Sequence, residues 1–346
     1  MTSGGSKLQD SLEALGWSPF FAEAFVEYEP KGLIPGRVAV QERGAVVLFT
    51  TAGMLSASGH AVTGDWVAAE KLPGEERGIV RAVLPRRTRF ARKELWLTEE
   101  QVVAANVDTV FLVTDCGPDF KPRRLERYLT AAWDSGAAPV VVLTKSDLAA
   151  DPAATVEEAE SVAFGVPVHA VSSVTGSGLD QLATYLQPGT TIALLGSSGV
   201  GKSTLANRLL GEERLATGEL RRDGRGRHTT THRELVRLPG GAFLLDTPGM
   251  RELQLWADEE ALEETFADVA DLARQCRFTD CNHAGEPGCA VGVALVDGSL
   301  PRARWESYSK LQREIQALAI KQDARLLSEA RKERRRFARS QRKTKW

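Results

Sequence analysis

The chain of 346 residues is longer than a single hydrophobic core usually supports, so two or three domains are expected. Its 42% hydrophobic and 26% charged residues are typical of a globular protein with sizeable cores. It contains no run of about 18 apolar residues and no basic N-terminus followed by an apolar stretch, so we expect neither a membrane span nor a secretory signal, and a cytoplasmic protein.

The net charge of −2 conceals a strongly basic C-terminus. Between Arg331 and Lys345, nine cations face Glu333 alone, which makes this tail +8 and the remainder of the chain −10. Such a tail favours contact with a polyanion. The alternative is a solvated, partly disordered terminus.

The N-terminal part divides into two patterns. Residues 1–31 form an extension with a short amphipathic segment from Leu8 to Tyr28, to which we assign no chemistry. Residues 32–92 contain short β-type runs at 37–40, 45–49, 65–68 and 78–84, separated by turn residues. This pattern predicts a small barrel or sandwich, and more specifically a five-stranded barrel of the oligonucleotide-binding type (OB-fold).

A basic connector from Pro85 to Lys93 leads into an alternating pattern of strands and helices. The connector could contact nucleic acid or serve as a soluble linker, and composition does not decide between them. Beyond it, strands are predicted at 108–114, 139–143 and 167–172, with a helix at 123–133. This alternation predicts a mainly parallel sheet covered by helices on both faces, with ligands at the carboxyl ends of the strands.

A glycine-rich stretch between a strand and a helix predicts a phosphate-binding P-loop. It follows the apolar run 191–195 and precedes the periodic segment 204–210. Backbone N–H groups of such a loop surround phosphate oxygens, Lys202 would reach the β- and γ-phosphates, and the Ser203 hydroxyl would hold Mg²⁺. The predicted phosphate-binding residues are Gly196, Ser197, Ser198, Gly199, Val200, Gly201, Lys202, Ser203 and Thr204.

The ends of two earlier strands predict recognition of guanine. In Thr144-Lys145-Ser146-Asp147, the Asp147 carboxylate can accept from the ring N–H and the amine of guanine, while the Lys145 stem packs on the base. Adenine offers no matching pair of donors at that edge. At the next strand end, Ser172 and Ser173 could bring backbone N–H groups to the base oxygen.

Downstream of the P-loop, two segments carry candidate Mg²⁺ ligands. The segment 224–232 contains Thr230 and Thr231, whose hydroxyls could complete the coordination and sense the γ-phosphate. A predicted strand then ends at Asp246, whose carboxylate can hold Mg²⁺ directly or through water, and the Gly249 N–H can meet the γ-phosphate.

These are the five signature elements of a regulatory GTPase in a rotated order, because the guanine-recognition segments precede the P-loop. With the metal cluster described below, roughly residues 32–320 resemble the RsgA/YjeQ family of circularly permuted GTPases. Asn106-Val107-Asp108 and the run 125–129 are also similar to that family. Thr144 departs from it, since the family usually has asparagine at this position.

The resemblance implies a GTPase acting in maturation of the small ribosomal subunit, with an OB-fold before the GTPase domain and a zinc domain after it. His228 is the candidate for orienting or deprotonating the attacking water, and the resemblance supports a histidine there. Met250 follows Gly249 where a water-positioning glutamine would be expected. We therefore expect slow intrinsic turnover that a partner accelerates.

A compact cysteine and histidine cluster predicts a structural zinc site. Cys276, Cys281, His283 and Cys289 offer three thiolates and one imidazole, a closed tetrahedral set. The remaining cysteine, Cys116, is predicted to be a buried hydrophobe.

The sequence thus predicts a multidomain chain with an N-terminal β-barrel (OB-fold), a central α/β P-loop GTPase domain with circularly permuted motifs, and a mainly helical zinc-binding domain. The predicted boundaries are 1–31 for the extension, 32–92 for the barrel, 93–255 for the GTPase domain, 256–330 for the zinc domain and 331–346 for the basic tail.

The predicted function is Mg²⁺-dependent hydrolysis of GTP to GDP on the small ribosomal subunit, stimulated by the subunit and driving release. We expect a monomer that binds ribosomal RNA and protein and does not bind membranes. An alternative is an RNA-binding module switched by nucleotide occupancy, in which hydrolysis is incidental. A third is a GTPase serving another RNA or a membrane-associated partner.

Overall fold

The structure, a computed structural model, describes residues 11–92, 101–117, 120–212, 234–246, 259–317 and 320, with only the backbone for residues 92, 246 and 259. The described residues up to 246 belong to one compact unit and those from 259 onward to a second. Across these described ranges, no helix combines the length and apolar character needed to cross a bilayer.

The chain starts with short helical segments. Two 3₁₀ turns, Glu13–Leu15 and Glu29–Lys31, flank helix α1, Pro19–Phe25, which begins with proline at its first position, where no backbone N–H is needed. Phe21 and Phe25 on α1 are buried. Their cluster includes the edge-to-face contact of Trp17 with Trp66, whose ring centroids are 4.7 Å apart.

Five strands then close into a small barrel. β1 pairs with β2, β2 with β3, β3 with β5, β5 with β4, and β4 again with β1. Alternate side chains such as Val46 and Leu48 fill its interior. The predicted small barrel is confirmed, although the sequence patterns did not indicate β3. The strands are β1 Ile34–Gln41, β2 Ala45–Thr50, β3 Gly53–Ser58, β4 Trp66–Lys71 and β5 Arg77–Val83.

The basic connector is partly a strand. Its residues Arg89–Arg92 form β6, which pairs antiparallel with β7, Gln101–Ala105, in a separate two-stranded sheet.

The predicted parallel sheet follows, in the order β10-β9-β8-β11-β13-β12. All neighbours are parallel except β12, which is antiparallel to β13. Its elements are β8 Thr109–Asp115, α2 Pro122–Ser135, β9 Ala138–Thr144, α3 Pro152–Glu160, β10 Val168–Ala170, a 3₁₀ helix Leu179–Tyr185, β11 Thr191–Leu195, α4 Lys202–Leu210, β12 Glu234–Arg237 and β13 Phe243–Asp246.

Successive side chains of the central strands face opposite sides of this sheet. Val110 and Leu112 of β8 belong to one buried cluster, with residues of α2 and α3. Phe111 and Val113 belong to another, with residues of α4 and of the 3₁₀ helix. Helices therefore cover both faces, which explains why consecutive positions in the middle of these strands, such as 110–113, are apolar.

Barrel and parallel sheet are joined through β1 and β12, which pair antiparallel at Val40 and Glu234. Eleven strands consequently form one continuous sheet. The same junction buries Arg37, which is 2% exposed. Its guanidinium donates to the carbonyls of Leu15 (2.6 Å) and Asn106 (3.2 Å) and to the Thr191 hydroxyl at the start of β11.

Asn106 and Asp108, from a segment that supported the family resemblance, complete this junction. Asn106 adopts a left-handed conformation (φ 55°), and its side chain donates to the Gly64 carbonyl at 3.0 Å. Asp108 accepts from the Thr191 backbone N–H at 2.8 Å. Burial lowers the pKa of Arg37 to about 10, so this side chain is charged at neutral pH.

The second unit is helical, as predicted. Its helices are α5 Glu259–Thr265, α6 Ala267–Arg274, α7 Ala290–Asp297 and α8 over 302–317. Arg304 on α8 binds both carboxylate oxygens of Asp268 (2.8 and 3.2 Å) and the Thr265 carbonyl, and its guanidinium lies 4.2 Å from the Phe266 ring centroid. This nearly buried arginine fixes α8 against α5 and α6.

Candidate functional site

The glycine-rich stretch forms a tight loop between β11 and α4. A Cβ at Gly196 would lie 2.1 Å from the Val113 carbonyl oxygen of the adjacent strand, so no other residue fits there. Gly199 and Gly201 have φ values of 80° and 96°, the left-handed conformation that glycine adopts without strain. Helix α4 begins at Lys202 and directs its first N–H groups toward the loop.

Lys202 lies against the loop itself. Its ammonium donates to the carbonyls of Gly196, at 2.8 Å, and Ser197. Ser203 and Thr204 follow in the first turn of α4, with Ser203 half-buried and Thr204 exposed. Strand, loop, lysine and hydroxyl therefore stand in the arrangement that a nucleotide phosphate requires.

The end of β9 contacts this loop directly. The Thr144 hydroxyl donates to the Val200 carbonyl and lies 3.1 Å from the Thr114 carbonyl. Lys145 adopts a left-handed conformation, and its ammonium donates to the Gly199 carbonyl at 2.8 Å. Thr144, where the resembling family usually has asparagine, thus ties the end of β9 to the P-loop.

Two carboxylates lie at this edge. Asp115, at the end of β8, has one oxygen 3.5 Å from the Lys145 ammonium. Its other oxygen is buried and has no hydrogen-bond partner among the described residues. Ser146 and Asp147 enter the next 3₁₀ turn, where Asp147 is exposed to solvent.

The loop after β10 lies beside them, because the Ser146 N–H donates to the Val171 carbonyl at 3.2 Å. Ser172 is buried, and its hydroxyl accepts from the Thr175 N–H at 3.1 Å. The Ser173 hydroxyl is buried without a hydrogen-bond partner in the described part of the chain. A buried hydroxyl without a protein partner at this edge could form a hydrogen bond with a polar base of a ligand.

The structure therefore brings the P-loop and both predicted guanine-recognition segments to the carboxyl edge of one sheet. Asp246 ends β13, which pairs with β11, although its side chain is not among those described. His228, Thr230, Thr231 and Gly249 lie outside the described residues.

Two residues of α2 also reach the P-loop, although the sequence did not predict either of them for the site. Arg124 donates to the Ser197 hydroxyl at 3.0 Å, and the Tyr128 hydroxyl lies 3.0 Å from the same oxygen. The sequence feature that could have indicated them is a pair of arginines in the first turn of a helix, where cations are unfavourable.

In the second unit, the predicted metal ligands come together. The donor atoms of Cys276, Cys281, His283 and Cys289 all lie within 4.8 Å of one another. The His283 Nδ1 is 3.5 Å from the sulfurs of Cys276 and Cys289. With Zn–S bonds of about 2.3 Å, tetrahedral ligand atoms would stand about 3.8 Å apart, so this set fits zinc after a small contraction.

The thiols of this cluster differ in acidity. Burial raises the pKa of Cys281 to about 11, and the nearby Cys289 and Cys276 thiols add to the rise. Burial acts in the same direction on Cys276, but hydrogen bonds from the N–H groups of Val291 and Ala290, at the start of α7, lower its pKa overall. Cys116 lies in the other unit and is 1% exposed, which confirms a buried apolar role.

Fold and site together define a P-loop nucleotide-binding protein in which the segments predicted to recognise guanine precede the P-loop in the chain. The sequence profile described as RsgA GTPase matches residues 83–256. The chain belongs to the RsgA GTPase family and is a GTP hydrolase. A profile for the ABC transporter also matches residues 179–340, the part that contains the P-loop, which is a motif of ATPases and GTPases alike.

The relatives and solved structures agree with this family. A protein of Opitutus terrae named small ribosomal subunit biogenesis GTPase RsgA is 48% identical, covering 94% of this chain and 95% of its own. The protein of that name from Streptomyces coelicolor is 47% identical over 97% and 95%.

Among solved structures, YjeQ from Thermotoga maritima is 28% identical, with a TM-score of 0.63 over 82% of this chain and 98% of its own. YloQ, described as a circularly permuted GTPase, shares the fold, with a TM-score of 0.62 over 82% and 96% at 23% identity.

Proposed function

We propose that this chain hydrolyses GTP to GDP and phosphate on the small ribosomal subunit during its late maturation, and that the subunit stimulates hydrolysis, which drives release. The observation that carries the proposal is the near full-length identity to proteins named for biogenesis of that subunit. The P-loop geometry, with Lys202 and Ser203 in place, supports an active enzyme rather than a passive binding module.

In this proposal, the P-loop N–H groups surround the phosphates and Lys202 offsets charge on the transferring phosphoryl group. Ser203, Asp246 and either Thr230 or Thr231 would hold Mg²⁺, which would neutralise further charge on the phosphates. His228 orients or deprotonates the attacking water.

Guanine selectivity is assigned to Asp147, whose exposed carboxylate can accept from the ring N–H and the amine of the base. The orphaned Ser173 hydroxyl and the backbone of this loop are suited to the base oxygen. Thr144 and Lys145 hold the end of β9 against the P-loop, which supports adjoining sites for base and phosphate at this edge.

The remaining parts are proposed to bind the subunit. The barrel pairs its strands in the circular order β1-β2-β3-β5-β4, the order of an OB-fold, which supports an RNA-binding role. The three cysteines and His283 would hold one structural Zn²⁺, which stabilises the second unit. The basic tail adds affinity for RNA, and the protein acts in the cytoplasm as a monomer.

The test is GTP hydrolysis by the purified protein alone, with small subunits, and with large subunits or free RNA as controls. We expect small subunits alone to raise kcat strongly, and the Lys202→Ala variant to remain inactive with every addition. Equal stimulation by all polyanions would overturn the proposal, because it would indicate tail electrostatics without subunit selectivity.

One sequence observation favours a second candidate, an RNA-binding module switched by nucleotide occupancy. Met250 stands where a water-positioning glutamine would be expected, which favours slow hydrolysis. In that case, replacing a bound non-hydrolysable GTP analogue by GDP would release the protein from small subunits. Adding GTP would release the parent protein and a hydrolysis-deficient His228→Ala variant at the same rate.

A further inference from the structure

Helix α2 supports the P-loop from the side. It follows β8, the strand that pairs with the P-loop strand β11, so its first turns lie near the carboxyl end of both strands. Arg124 and Tyr128 are four residues apart and share one face of this helix. Both place a polar atom 3.0 Å from the Ser197 hydroxyl.

Arg124 lies in the first turn of α2, a position that is unfavourable for a positive charge. The first turn of α2 carries Arg123 and Arg124 and no acidic residue. Cations at a helix N-terminus oppose the helix dipole and destabilise the helix. A local rule broken in this way, beside a site for phosphate, is typical of a residue retained for function.

Ser197 connects these residues to the phosphate-binding lysine. Its hydroxyl meets Arg124 and Tyr128, while its carbonyl accepts from the Lys202 ammonium. Fixing this side chain therefore also fixes one of the two carbonyls that position Lys202. Half-burial of all three side chains shields these hydrogen bonds partly from water.

We propose that Arg124 and Tyr128 are positioning residues of the GTPase site, which act through Ser197 to hold the P-loop and Lys202 in the phosphate-binding geometry before nucleotide arrives. A preformed loop stabilises bound GTP, bound GDP and the transition state to similar extents, because all three contain the α- and β-phosphates that the N–H groups of the loop surround. The contribution therefore belongs to nucleotide affinity more than to the chemical step.

The test compares Arg124→Gln, Tyr128→Phe, Ser197→Ala and the double variant Arg124→Gln/Ser197→Ala in the full chain. KM and kcat for GTP and Kd for GDP are measured, together with the thermal unfolding midpoint. Arg124→Gln is expected to raise KM and Kd together by about 5- to 10-fold with kcat within about 3-fold, the loss of one charge-assisted hydrogen bond. Tyr128→Phe changes affinity in the same direction and preserves the packing of its ring.

The double variant decides whether the effect passes through Ser197. If it does, adding Arg124→Gln to Ser197→Ala weakens binding by less than about 2-fold more, since the hydroxyl that Arg124 contacts is already gone. Arg123→Gln, on the exposed side of the same turn, is the matched control and should stay within about 2-fold of the parent.

Two results would overturn the proposal. Fully additive losses in the double variant would mean that Arg124 acts on the phosphates directly. A lower kcat at unchanged KM, with a lower unfolding midpoint, would mean that the arginine only stabilises the fold.

Discussion

Replacing Arg37 by methionine tests how strongly the barrel is attached to the parallel sheet. The guanidinium is buried and donates to Leu15 and Asn106 carbonyls and to the Thr191 hydroxyl, which belong to three different parts of the chain. It also lies 5.2 Å from the Phe243 ring centroid. Methionine retains most of the apolar stem and removes every donor.

Hydrogen bonds from a charged donor are worth about 1.5–3 kcal/mol each, so three of them give a gross loss of about 4.5–9 kcal/mol. Removing the guanidinium also removes the free-energy cost of burying a charge. The same cost is the reason why the pKa of Arg37 is lowered. Set against that relief, the two carbonyls and the hydroxyl left without their donor cost about 1–3 kcal/mol each, so we expect a net loss of about 3–5 kcal/mol.

The assay is urea unfolding followed by tryptophan fluorescence, because Trp17 and Trp66 lie together beside this junction. With a slope of about 3 kcal/mol/M, the midpoint should fall by about 1–1.7 M. Arg81→Met removes an exposed ion pair with Glu70 and is the matched control, with a change below about 0.5 kcal/mol. A loss under about 1 kcal/mol for Arg37→Met would refute the reasoning.

Three further predictions concern the two sites. Gly196→Ala should weaken GDP binding more than about 100-fold in a fluorescence titration, since the added methyl meets a backbone carbonyl that cannot move; near-normal affinity would contradict this. Thr144→Val keeps the shape but loses the bond to Val200, so GDP should bind about 5-fold more weakly, the equivalent of about 1 kcal/mol; a change below 2-fold would argue against the tether. Cys289→Ser should lose bound zinc in metal analysis and show faster hydrogen exchange of the amides of 259–317. Cys116→Ser should keep the zinc and the parent exchange rates.

The P-loop and the central strands could be predicted because their signals are local. Glycine and lysine at fixed spacing specify a loop with left-handed positions, and continuous apolar runs such as 139–143 specify strands buried on both faces. The metal ligands were predictable for the same reason, since all four lie within fourteen residues.

Contacts between distant segments could not be predicted in this way. Arg37 begins an alternating run whose pattern places an arginine toward solvent, yet the structure buries it against Thr191, 154 residues away. The pairing of β1 with β12 and the contact of Arg124 with Ser197, 73 residues away, also join segments that are far apart in sequence. No residue type or spacing encodes such a partner, because tertiary packing decides it.

The continuous sheet also constrains the order in which this chain can assemble during synthesis. All five barrel strands lie between residues 34 and 83, so the barrel can close while the rest of the chain is still being translated. The strands β8 to β11 can pair next, but between β11 and β1 a gap of two strands remains. The hairpin of β12 and β13 fills it last, and its pairing completes the continuous sheet that joins the barrel to the parallel sheet. Because the hairpin directly follows and precedes the segments expected to sense GTP, the final folding step and the nucleotide switch depend on the same two strands.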